Sequence, residues 1–215
     1  MAEIILGLPT EPRVGRSAIP QLTLFPRISF LLLSLRRILT WRTMARTWEQ
    51  RKLGDCIEDY VEKTVVEDQY PVLTSSQQHG IILQKEYCAG SQSTTHDNVG
   101  YFVLPRGYFT YRSRSDNNTF VFNRNDLIDR GIISYFYPVF RVKNTDSEFM
   151  LRRLNHGMRR QLAVASEGTG QHVLSLGKFK RMNAFMPEIS EQRAIGSFFA
   201  DVDDLITLRQ REHSS

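Results

Sequence analysis

From Trp48 onward the chain sets short apolar runs between polar turns, the texture of a mixed domain of strands and helices. A short amphipathic segment around Leu53 to Tyr60 leads into Tyr70-Pro71-Val72-Leu73-Thr74, a β-prone run bounded by polar residues. Ile81, Ile82 and Leu83 make a second strand. Tyr101 to Leu104 and Tyr108 to Tyr111 flank the turn Pro105-Arg106-Gly107, and Thr119 to Phe122 follows the polar loop Ser113 to Asn118, which predicts further short antiparallel strands. Ile132 to Val142 is the strongest strand signal. Pro138, with no amide hydrogen for a ladder, leaves three forms open there: an edge strand, a bulge, or two strands.

Two helices follow. The first starts at Asp146 or Ser147, either of which can cap the free amides of a first turn, and runs to about Val164. Leu151, Leu154, Met158 and Leu162 recur at three- and four-residue steps and share a face, while Arg152, His156, Arg159 and Arg160 gather on another. The second begins after Pro187, with Ser190 as cap and Glu191 well placed against the helix dipole, and continues to about Arg211. Ile195, Phe198, Val202 and Leu205 form an a/d seam. It is about two heptads long, short of a self-sufficient coiled coil, so it needs something to pack on. The expected fold class is α+β: one mixed domain with short antiparallel strands and a C-terminal helix that packs in a coiled-coil-like pair.

Residues 1–46 differ. They hold four of the eight prolines, Pro9, Pro12, Pro20 and Pro26, and lack both helical period and strand alternation, so they are expected to form an irregular leader, with Met44 a candidate native start. The apolar run Ile28 to Leu35 is shorter than the about 20 residues of a membrane span, and its flanking arginines are out of order for a signal peptide. Across the 215 residues the apolar fraction of 41% is enough for a buried core, and 28 Lys and Arg against 23 acidic residues give a net charge of +5. That charge suits a polyanionic partner without identifying one. The two cysteines, Cys56 and Cys88, have no metal-ligand spacing and no disulfide framework around them, so a reducing cytoplasm is the expected compartment.

The sequence has no phosphate-cradling GxxxxGK[ST], no GxSxG elbow, no HExxH, no GxGxxG behind a strand and no Glu-x-Lys triplet of the kind that completes many nuclease metal sites. His79, His96, His156, His172 and His213 are scattered. A non-catalytic protein is expected. Residues suited to nucleic acid are of three kinds. Arg152, Arg153, Arg159 and Arg160 could neutralise phosphates, although a solvated helix face would look the same. In the loop 112–119, Arg112 and Arg114 can pair with guanine edges and Asn117 and Asn118 with adenine, although an ordinary polar hairpin loop has this composition too. Thr74, Ser75, Gln77 and Gln78, together with Thr169 and Gln171 in a Gly-rich run, supply hydroxyls and amides for base edges or phosphates.

Read in order, these pieces resemble the specificity subunits of type I restriction-modification systems. Trp48-Glu49-Gln50-Arg51-Lys52-Leu53-Gly54-Asp55 is similar to the family's domain start. Tyr70 to Ser75 with Gly80-Ile81, Leu104 to Tyr111, and Gly131 to Ser134 with Tyr137 to Phe140 are similar to its strand segments. Most specific are Gly168 to Gln171, Leu174-Ser175, and Pro187-Glu188-Ile189-Ser190-Glu191-Gln192-Arg193-Ala194-Ile195 with Phe198, Phe199 and Asp203, which resemble the family's loop, Pro-x-x-x-Glu-Gln turn and helix.

Beyond the irregular leader at 1–46, the resemblance implies a DNA target-recognition domain at 47–186 and a spacer and dimerisation helix at 187–215. It implies a subunit that reads one half of a split double-stranded DNA target and docks methyltransferase and restriction subunits. No cofactor of its own is expected, S-adenosylmethionine, ATP and Mg belonging to those partners. The family's usual subunit carries two recognition domains, so a single one implies either a half-size subunit or a fragment, pairing with itself or with a second half. The alternatives are an interaction-only remnant that binds the methyltransferase subunit without reading DNA, and a stand-alone nuclease.

Overall fold

The computed structural model describes residues 48–87, 97–168 and 170–213. The leader, Cys88, His96 and Thr169 lie outside the described residues.

The central layer is a four-stranded antiparallel sheet in the order β2 (Ile57–Tyr60), β10 (Val139–Val142), β6 (Phe109–Tyr111), β8 (Phe122–Arg124). Aromatic residues at period two put Phe109, Tyr111, Phe122 and Phe140 into one core, where Phe179 joins them from a short helix, α5 (Leu176–Arg181). Their ring centroids lie between 4.6 Å (Tyr111 to Phe122) and 6.5 Å (Tyr111 to Phe140) apart, in tilted, stacked and edge-on pairs. Smaller two-stranded units surround this layer: β1 (Glu49–Lys52) with β12 (Asn183–Met186), β3 (Leu73–Ser76) with β4 (Gly80–Leu83), β5 (Phe102–Pro105) with β9 (Arg130–Ile133), and β7 (Arg114–Ser115) with β11 (His172–Val173). A second, smaller core of Leu73, Ile81, Leu104, Ile133 and Val139 joins β3, β4, β5 and β9 to the main sheet. Two one-turn helices, α1 (Leu53–Cys56) and α2 (Gln84–Tyr87), complete this part.

The α+β class expected from the sequence is the class observed, with differences in its parts. The Ile132 to Val142 run is two strands in different sheets, with Pro138 between them. The Pro105-Arg106-Gly107 turn is a corner, since β5 pairs with β9 while β6 pairs with β10 and β8. The segment 53–60 is one helical turn followed by a strand.

The first long helix is also broken. It comprises α3 (Ser147–Arg152), a π turn (Arg153–Gly157) and α4 (Arg159–Ala165). Asp146 is the cap, its carboxylate accepting from the Phe149 amide at 2.9 Å. The buried residues Met150, Leu154, Met158 and Leu162 recur at strict steps of four, which on an unbroken α-helix would drift about 40° per step. The wider π turn and the break at Met158 absorb that drift and keep all four on the core, leaving Leu151 only half-buried.

The C-terminal helix α6 (Ile189–His213) starts one residue before Ser190, so that residue lies inside the first turn and is not its cap. At 1.5 Å per residue its 25 residues span about 37 Å. Its first half lies on α3. Gln192 is only 1% exposed: its side-chain NH2 donates to the Pro187 carbonyl and its side-chain oxygen accepts from the Asp146 amide. Trp48 meets Phe149 edge-on and its indole N–H donates to Glu191. The β1–β12 pairing brings residue 49 opposite residue 186, so the opening and closing segments singled out in the sequence meet where α6 departs.

Candidate nucleic-acid interface

Three polar segments far apart in sequence come together on this frame. The β3–β4 hairpin pairs Ser76 with Gly80, and Gly80 resumes the strand at φ 71°, a conformation that favours glycine. Gln77, Gln78 and His79 therefore project as an exposed loop. Facing them is the segment from Arg112 to Thr119, and between the two lies a cleft of about 550 Å3 floored by Val121, Asn123 and Tyr137. The third segment arrives through β11, which pairs His172 with Ser115, and Gln171 donates to Asp116 at 3.4 Å.

Of the predicted residues, Thr74, Ser75, Gln77, Gln78, Arg112, Arg114 and Asn117 all line this cleft, and Gln171 sits beside it. Arg112 is exposed, and among the described residues neither it nor Arg114 makes an ion pair. The Arg114 guanidinium stands 4.6 Å from the Phe136 ring centroid, which holds it in place. Asn117 spends its side-chain oxygen on the Ser115 hydroxyl and the Thr119 amide, shaping the loop. Asn118 does not line the cleft. At φ 55° it turns toward α4, donating to the Ala163 carbonyl and accepting from the Ser166 hydroxyl.

The four helix arginines separate. Arg152 pairs with Asp203 of α6 beside the Phe199 ring. Arg153 donates to the Phe185 carbonyl and lies 5.8 Å from the Trp48 ring, and burial holds its pKa below the usual arginine value. These two brace the helical layer. Arg159 and Arg160 are exposed and make no ion pair among the described residues, Arg159 donating from Nε to the Asn155 carbonyl. Arg159, His156 and Asn155 line a second cleft of about 700 Å3, which shares the Gln77 to His79 loop as a wall with the first. Arg124 in that cleft is neutralised by Asp126 and Glu148, whose hydrogen bonds raise its pKa against the opposing effect of burial.

Sequence reasoning passed over Asn123 and Tyr137. The one signal for Asn123 was its place directly after the apolar run Phe120-Val121-Phe122. Among the described residues no group of three or more His, Cys, Asp or Glu could hold a metal ion, and no helix is long and apolar enough to cross a membrane. Cys56 is a free, buried cysteine. On the seam, Ile195 packs against the main core, and Phe198, Val202 and Leu205 are half-buried.

The fold that carries this cleft is the fold of type I restriction-modification S subunits. The chain is similar to one from a structure of the type I R-M system addressing its complex assembly and conformational transition, with TM-score 0.52 and 13% identity over 87% of this chain and 48% of that one. It is also similar to the S subunit from M. genitalium (TM-score 0.49, 9% identity, 74% of this chain and 40% of that one) and to the HsdS subunit from Thermoanaerobacter tengcongensis (0.48, 13%, 86% and 47%). The chain therefore spans a little under half the length of each. No protein-family model matches it, and no curated protein does.

Proposed function

We propose that the chain is a sequence-specific, double-stranded DNA-binding specificity subunit of a type I restriction-modification complex, reading one half of a bipartite target. The observation that carries this reading is the convergence of the 74–79, 112–119 and 170–172 segments on one polar cleft with two arginines that make no ion pair among the described residues, on the S-subunit fold. Arg112, Arg114 and the Gln77 and Gln78 amides carry donors of the kind that pair with base edges. Arg159 and Arg160 are suited to the backbone, where each phosphate contact releases counterions.

The domain division at 47–186 and 187–215 belongs to the same proposal, as does docking of methyltransferase and restriction subunits. Methylation and cleavage, with S-adenosylmethionine, ATP and Mg, would be the work of those partners. From Asp204 to Glu212 only Leu205 is even half-buried, while Ile206 and Leu208 are exposed, which supports pairing of α6 with the helix of a second copy or second half-subunit.

Selection of bound sites from random duplexes, with and without the methyltransferase subunit, tests the proposal. A recovered consensus with steep salt dependence is expected. Equal affinity for every duplex while the methyltransferase subunit still binds would leave the interaction-only role instead. A strictly monomeric protein at micromolar concentration would remove the pairing.

A further inference from the structure

Within that DNA-reading role, one buried amide on the floor of the cleft is tied by hydrogen bonds to the cleft's most exposed wall. Asn123 is the middle residue of β8, an edge strand of the main sheet, and lies opposite Thr110 of β6. It is 9% exposed, and its side-chain nitrogen lies 2.8 Å from the Ser75 hydroxyl and 2.8 Å from the Ser76 carbonyl. An amide has two N–H donors, so both are spent on β3. The Ser76 hydroxyl then accepts from the Gln78 and His79 amides, each at 3.2 Å. Ser76 thus links the sheet to the loop, its carbonyl taking the bond from Asn123 and its hydroxyl those from the loop amides. That loop is the three exposed residues Gln77, Gln78 and His79, which form the wall common to both clefts.

We propose that Asn123, acting through Ser76, is the positioning residue that fixes the Gln77-Gln78-His79 loop and so sets the sequence preference of the cleft without itself touching a base. Bidentate pairing of a glutamine with an adenine needs both amide atoms aligned at once, so a loop free to pivot loses discrimination while the arginines keep their attraction for phosphate. Specificity and general affinity are thereby carried by separate parts of the cleft.

Two variants test this. Asn123→Leu preserves size and neutrality and removes both donors, and Ser76→Ala removes the acceptor that holds the loop amides. Each is checked for a cooperative melt, and Ser76→Ala carries the test if the strand variant does not fold. Hydrogen exchange of the Gln78 and His79 amides in the free protein should speed up about tenfold or more. The ratio of affinities for selected and random duplexes should fall about tenfold, with the slope of binding against salt, set by the arginines, kept. Unchanged exchange at Gln78 and His79 overturns the latch whatever the DNA data show. Faster exchange with the affinity ratio intact overturns its link to specificity. A wild-type protein that discriminates no duplex, with exchange accelerating as expected in the variants, strikes at the DNA-reading role and takes the assignment to Asn123 down with it.

Discussion

Gly196 stands where α6 crosses the start of α3, and Gly196→Ala tests whether the Pro187 to Gln192 turn and the helix after it form a docking device. A Cβ placed there would lie 2.6 Å from the Asp146 carboxylate, 2.8 Å from Glu148 Cβ and 3.0 Å from the Phe149 nitrogen. Carbon contacts are comfortable at about 3.5 to 4.0 Å, so the helices must part by roughly 0.7 Å or more. The Asp146 side chain cannot simply swing away, because it caps α3. Overpacking of this kind costs about 1 to 3 kcal/mol, and weakening the cap adds up to about 1 kcal/mol. Against these, alanine is the better helix former by about 1 kcal/mol. The net expectation is a loss of up to about 3 kcal/mol.

Gly177→Ala in α5 is the internal control. The nearest atom to a Cβ there is the flexible tip of Arg181 at 3.7 Å, so only the helix preference remains and the sign reverses. Urea unfolding followed by circular dichroism gives both values. Trp48 supplies a local probe, since its ring and indole N–H touch Phe149 and Glu191 at the junction. In a Trp41→Phe background it is the one tryptophan left of the two in the chain, and its fluorescence should shift in Gly196→Ala before global unfolding. If Gly196→Ala stabilises the protein as Gly177→Ala does, the close helix crossing and the role assigned to the turn are refuted.

Arg112→Ala should cost about 1 to 3 kcal/mol on the selected duplex and relax preference at one position, whereas Arg159→Ala should weaken all duplexes alike and reduce the salt slope by about 1; titrations at several salt concentrations separate the two. Asn118→Ala should lower stability by about 1 to 2 kcal/mol, through the lost Ala163 and Ser166 hydrogen bonds and a φ of 55° that alanine adopts poorly, with no change in duplex preference by the same selection assay. Burial, reinforced by its hydrogen bond to Glu62, pushes the Tyr60 pKa up to about 12, and burial raises that of Tyr111 as well. Both protons favour the folded state, so this stability is fully present below the unfolded tyrosine value of about 10 and is lost as pH rises toward 12; tyrosinate absorbance should therefore rise together with unfolding, and Tyr60→Phe should unfold at higher pH.

What the sequence made legible follows from how each element is held. The main sheet carries its signal in side chains, because Phe109, Tyr111, Phe122 and Phe140 are buried at alternating positions. β1 carries none. Its residues, Glu49-Gln50-Arg51-Lys52, are polar and mostly exposed, and backbone pairing with β12 alone makes them a strand. The same holds for the two-residue pair β7 and β11, which nonetheless decides that the 170–172 segment lies beside the arginine loop. The π turn was hidden for a related reason: steps of four look like a helix period until their drift is followed over three turns.

At the candidate interface, composition identified the right loops but could not say which side of each loop faces the cleft. Asn117 and Asn118 are the same residue type in adjacent positions, yet one lines the cleft and the other, at positive φ, ties its loop to α4. Arg153 and Arg160 lie two turns apart on the arginine-bearing helical segment, yet the first is held under Trp48 and Phe185 while the second is exposed. In each pair the outcome depends on a neighbour distant in the chain. The clearest case is Gln192, a polar residue that period and hydropathy would place on a helix surface. It is buried because it satisfies the Pro187 carbonyl and the Asp146 amide together, so an amide as well as apolar side chains ties the start of the long helix to the start of α3.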